Sequence, residues 1–154
     1  MEDELKDLIE LNRRILAHAL GRKPNEREDA YLQYLPVCLG RFLPGIEDIR
    51  RAISGVRPRH ENALPVMYVN RDYLNHARLS SLRALAGATE KFIELGINFE
   101  MATVLSQLAN DEVTRLALHW DGLLVAADVD SLRSGMALHA NAGKFHAAAH
   151  FLAA

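Results

Sequence analysis

The chain has one cysteine, Cys38, in 154 residues. That excludes an intramolecular disulfide and any cysteine-based zinc site within one chain. Only an intermolecular bond is left open, and the composition points to a reducing cytoplasm. No apolar run approaches the roughly 18 residues of a membrane span, although apolar residues make up 49% of the sequence. A positive surplus is missing as well: Lys and Arg number 18 against 20 Asp and Glu. Proteins that bind DNA unaided draw most of their affinity from phosphate neutralisation, so this balance argues against DNA binding by the chain alone. There is no Gly-rich phosphate loop, no HExxH and no nucleophile elbow, and no enzyme is expected. No internal repeat and no low-complexity tract is found. The start, "MEDELKDLIELNRR", is acidic and amphipathic, unlike a secretory signal.

What is present is helical periodicity. In residues 3–20, Leu5, Leu8, Ile9, Leu11, Ile15, Leu16 and Leu20 recur at helical spacing, and Gly21 and Pro24 end the segment. "NEREDAYLQYLPVCLGRF" opens with an asparagine cap and acids, and predicts a second helix stopping near Pro36. "PGIEDIRRAI", from Pro44, predicts a short third. "SGVRPRHENALP", residues 54–65, holds two prolines and a glycine and reads as a hinge. The densest positive stretch is "RRAISGVRPRH". Its Arg50, Arg51, Arg57 and Arg59 are candidate phosphate contacts, set against the blander reading of a solvated helix end and linker. Residues 1–60 carry 11 Lys and Arg against 10 Asp and Glu; residues 61–154 carry 7 against 10.

From Tyr68 the pattern strengthens. "NRDYLNHARLSSLRALAGATEKFIEL" predicts one long helix capped at Asn70, or two helices split at Gly87. Its apolar residues occupy more than one face, which fits a subunit interface. Then "LGIN" stops one helix and starts another within four residues. Gly96 can take positive φ and close the first, Ile97 folds back on it, and Asn98 caps the next. Met101, Val104, Leu105 and Leu108 are the expected buried face of that helix. Asn110 is the expected cap of a third, with Val113, Leu116 and Ala117 inward. "LLVAADVD", Leu123 to Asp130, is the one strand candidate, and a final helix is expected from Ser131 to Leu152. This is a helix–turn–helix passage, but "NDEVTRLALHW" offers two acids and one arginine, Arg115, where a DNA-reading helix presents basic residues.

The passage "LGINFEMATVLSQL" followed by "RLA", residues 95–108 and 115–117, resembles the FlhD family of flagellar transcriptional activator subunits. "VNRDYLNHAR" before it is similar to the start of that family's first helix, and an apolar strand ending at Asp130 follows. The resemblance covers about residues 68–130. It implies a helical homodimer that does little on DNA alone. Such a chain joins an FlhC-like, zinc-containing subunit, and the pair binds promoter DNA and recruits RNA polymerase. Related pairs control transfer genes of conjugative elements. The resemblance places Tyr73, Leu74, Ala77 and Leu82 on the dimer face. Phe92, Glu94 and Arg115 are expected to contact partner or DNA. Two departures stand out. The region that holds a chain-bridging cysteine in the family reads Leu124, Val125, Ala126 here, and residues 1–60 are not part of the family pattern. Both favour a divergent, mobile-element branch.

Other chemistry is thinly represented. His139, His146 and His150 share one face of the expected last helix, yet no carboxylate or cysteine accompanies them, so no metal and no cofactor is expected. Asp128 and Asp130 alternate on a strand edge, more like solvated acids than an acid–base pair. The expectation is therefore a mainly α cytoplasmic protein. Residues 1–60 form a helical extension, and residues 61–154 form an FlhD-like dimerisation and partner-binding domain with one short strand. Its expected role is as a subunit of a heteromeric transcriptional activator. The alternative is an adaptor or anti-activator that keeps the fold without binding DNA.

Overall fold

The apolar residues of the first segment return every three or four positions, and in the computed structural model they form one helix, α1, Glu2–Leu20. The structure describes residues 2–35, 37–42, 45–55, 61–119 and 123–125. Glu2, Asp3 and Glu4 sit at the positive end of α1, and Leu8, Ile9, Leu11, Ile15 and Leu16 form its buried stripe. Helix α2, Glu26–Leu32, begins with a reciprocal capping box. The Asn25 side chain accepts from the Glu28 amide, and the Glu28 carboxylate accepts from the Asn25 amide, both at 2.9 Å. Arg13 of α1 reaches both oxygens of Asp29 on α2, at 2.6 and 3.3 Å.

After α2 the chain runs buried but irregular: Leu35, Val37, Cys38 and Leu39 are all inside. Buried backbone needs partners. Asn12, 0% exposed, supplies two of them. Its Nδ2 donates to the Val37 carbonyl at 3.0 Å, and its Oδ1 accepts from the Leu39 amide at 2.6 Å.

Contacts group the chain into two units, residues 1–40 with 125–154, and residues 41–124. The segments that enter and leave the second unit, β1 (Gly40–Phe42) and β2 (Leu123–Val125), pair as a two-stranded sheet. The rest of that unit is helical: α3 (Ile46–Ile53), α4 (Leu64–Leu85), α5 (Glu90–Leu95), α6 (Phe99–Ser106) and α7 (Asn110–His119). The described architecture is thus mainly α. Strand β2 falls where the sequence placed a strand; its partner β1 carried no periodicity to announce it. The stretch 126–130 and the expected helix 131–152 lie outside the described residues, as do Pro36 and Pro44.

Helix α4 packs its inner face on α6 and α7, and α3 also packs on α6 and α7. The sequence drew a boundary after residue 60; packing groups α3 with the helices that follow it. The long segment is two helices rather than one. Helix α4 starts at Leu64, with Pro65 in its first turn where a missing N–H costs nothing, and stops at Leu85. Gly87, at φ 118°, turns the chain before α5.

The helix ends explain two further departures. Asn70 is not a cap. It lies inside α4, buried, and its Nδ2 donates to the Ala117 carbonyl at 3.1 Å. Asn62 does the same at 3.0 Å, and its amide donates to the Leu118 carbonyl at 2.6 Å. The last carbonyls of α7, which have no partner in their own helix, are satisfied this way. Asn110 is the first residue of α7, and Glu112 caps the helix instead by accepting from the Ala109 amide at 2.9 Å. The Asn110 side chain accepts from Arg78 at 2.9 Å, while Arg78 also donates to the Leu108 carbonyl at 3.1 Å.

Candidate functional site

The turn Gly96–Asn98 is built as its sequence dictates. Gly96 takes the left-handed conformation, φ 65° and ψ 37°. The Ile97 amide donates to the Phe92 carbonyl at 3.1 Å and the Gly96 amide to the Ile93 carbonyl at 3.2 Å, the paired bonds of a Schellman closure. Asn98 then caps α6 by accepting from the Met101 amide at 2.8 Å.

Beside this turn lies a cavity of about 220 Å³. Ile46, Tyr73, Leu95, Ile97, Met101 and Leu105 make it apolar. Arg41 and Asn98 are its polar lining, with Gly96 between them in the wall. Sequence reasoning missed Arg41, because nothing local in "LGRF" connects it with a turn so far along the chain.

Glu94 is buried, not presented to a partner. Its Oε2 accepts from Lys91 Nζ and its Oε1 pairs with His76 Nε2, both at 2.9 Å. Burial pushes the Glu94 carboxyl up, but the bonds from His76 and Lys91 outweigh that and hold it below its usual 4.5. Ser80 Oγ lies 3.3 Å from the same His76 nitrogen. This is not a nucleophilic triad. There the acid and the serine engage opposite ring nitrogens, whereas here both meet Nε2, and Ser80 is itself buried.

The other expected site residues divide. Tyr73, Leu74 and Ala77 are 2%, 0% and 0% exposed within the single chain, so their side chains belong to its own core and offer no dimer face. Leu82, 50% exposed, is the one of the four that faces outward. It shares a face with Leu64, Tyr68 and Leu79, all exposed, with Arg71 and exposed Asn75 lying between Tyr68 and Leu79. From Leu64, the apolar positions stay within about 60° of one another around the helix. Arg71 adds its guanidinium over the Tyr68 ring, 5.0 Å from the centroid.

Phe92 is half-buried. Arg115 is spent on structure: it donates to the Ala52 carbonyl at 2.8 Å, capping α3, and lies 3.9 Å from Asp111. Arg50 pairs with Glu47 at 2.8 Å and Glu100 at 3.7 Å, and Arg51 is exposed. Arg57 and Arg59 lie outside the described residues, as do Asp128, Asp130, His139, His146 and His150. Among the described residues no three His, Cys, Asp or Glu side chains stand close enough to hold a metal ion, and no helix is long and apolar enough to cross a membrane. In comparisons with protein-family models, curated proteins and solved structures, no match to this chain was found.

Proposed function

We propose that the chain is a protein-docking subunit of a heteromeric transcriptional activator. It acts in the cytoplasm as a homodimer, with an FlhC-like chain holding promoter DNA and the joint complex engaging RNA polymerase. The observation that carries this reading is the outward face of α4, where Leu64 with Tyr68 and Leu79 with Leu82 are exposed as two apolar pairs, with Arg71 and Asn75 between them, along a 22-residue helix. Faces of this kind seek a protein partner, and a two-fold pairing of the same helix from a second copy buries the face against itself. The helix–turn–helix supports the same division of labour. Helix α7 opens with Asp111 and Glu112, and its arginine caps α3. Acids at that position repel phosphate, so the DNA grip falls to the partner.

The test is a gel shift on the promoter region of the chain's own operon, using this chain, an FlhC-like chain, and both. A shift that needs both supports the activator reading. A shift by this chain alone would transfer the DNA-binding role to its own residues. No shift and no co-purification would overturn the activator in favour of the adaptor or anti-activator.

A further inference from the structure

The cavity beside Gly96 contains a charge that no described residue pairs with. Among the described residues the Arg41 side chain makes no hydrogen bond and no ion pair, whereas the side chains of Arg13, Arg22, Arg78 and Arg115 are each bonded. Its guanidinium rests against the bare backbone of Gly96. A Cβ placed there would stand 3.2 Å from Cζ and Nη2 and 3.3 Å from Nε. Apart from Asn98, whose Oδ1 is engaged by the Met101 amide, and Tyr73 with its phenol, the other described side chains of the wall are aliphatic or thioether. Its Nδ2 has no partner among the described residues. Among the described residues no acid lines the cavity.

A guanidinium held against apolar walls loses hydration that only a well-placed anion restores. Its planar fork matches a carboxylate, which can accept two parallel bonds. The apolar surroundings select against a fully hydrated inorganic anion and for one with an apolar body. A space of 220 Å³ lies below the about 300–1,000 Å³ of pockets that hold drug-sized ligands, so the occupant is a small molecule. We propose that this cavity binds a small monocarboxylate with a compact aromatic or branched body. The carboxylate sits on Arg41, with the Asn98 amide as a second donor, and the body rests on Ile46, Leu95 and Met101. Such a site would exist whether or not the chain joins an activator.

The experiment is a methyl-detected NMR titration of the full chain with phenylacetate and with isovalerate. Phenylacetamide serves as the neutral isostere and inorganic phosphate as the bare anion. Saturable shifts are expected at the Ile46, Ile97 and Met101 methyls, with phenylacetate binding about ten-fold or more tighter than its amide. Arg41→Gln should remove that preference while leaving amide binding unchanged, and Met101→Trp should fill the space and abolish both. If Arg41→Gln fails to fold, the acid-against-amide comparison in the unaltered chain decides alone. No saturable shift with either acid, equal binding of acid and amide, equal competition by phosphate, or shifts remote from these methyls would each overturn the proposal.

Discussion

Replacing Asn12 with alanine would strand the Val37 carbonyl and the Leu39 amide inside the first unit. A buried group left without a partner costs about 1–3 kcal/mol, so the expected loss is about 3 kcal/mol, read from urea unfolding. A loss within error would mean that the segment re-pairs its backbone without the amide. Glu94 makes a different demand. Its carboxyl is held below its usual value, so its contribution is complete above the unfolded-state value of 4.5 and is lost as pH falls through the lower folded-state value. Glu94→Gln should therefore flatten the acid limb of the stability profile below pH 4.5. At neutral pH it should cost about 1–3 kcal/mol by weakening the charged bonds that Glu94 makes with Lys91 and His76. A profile parallel to the unaltered chain would sink that assignment. Neither role was legible in sequence. Asn12 answers to backbone 25 residues away. Lys91 and Glu94 stand three apart and could be paired on paper, but His76, 18 residues upstream, could not.

Among the elements, what was legible was what is local. The stop at Gly96 and the start at Asn98 depend on conformations and bonds within a few residues, and both formed as the sequence predicts. Gly96→Ala should cost about 1–2 kcal/mol through the left-handed backbone alone, and more where the new Cβ presses on Arg41. A thermal melt unchanged by the substitution would remove the capping argument. Asn70 and Asn110 show the limit of such reading. Asparagine caps helices because its side chain bonds backbone, and the same chemistry lets it serve a distant helix or accept from an arginine. Arginines divide in the same manner. Arg78 holds the turn between α6 and α7 and Arg115 closes the end of α3, tasks that a charge count cannot distinguish from phosphate contact. Arg115→Ala should destabilise α3 by about 1–2 kcal/mol, while salt dependence of DNA binding by the complex stays unchanged. A flatter slope would return Arg115 to the DNA.

For the molecule as a whole, hydrophobic periodicity was enough to give the helical class, because burying a stripe on each helix decides it. It could not separate the faces of α4, since Leu74 and Leu82 are the same side chain and only packing sends one inward and the other out. Leu79→Glu with Leu82→Glu should break a homodimer into monomers in sedimentation while shifting the melting temperature little, because both side chains are half exposed in the single chain. A monomeric unaltered chain would remove the dimer from the proposal. Strand β1 precedes α3 and β2 follows α7, yet the two lie side by side. The five helices between them are therefore wired as a closed ring with adjacent leads, and a ring has no privileged place to be cut. For the second unit alone, residues 41–124, joining residue 124 to residue 41 by a short glycine bridge and opening the chain at Gly87, which is exposed and faces open space, should yield a permuted form with the same helical circular dichroism as the unpermuted 41–124 segment. The present order of α3 to α7 along the gene would then be one of several linear spellings of the same arrangement.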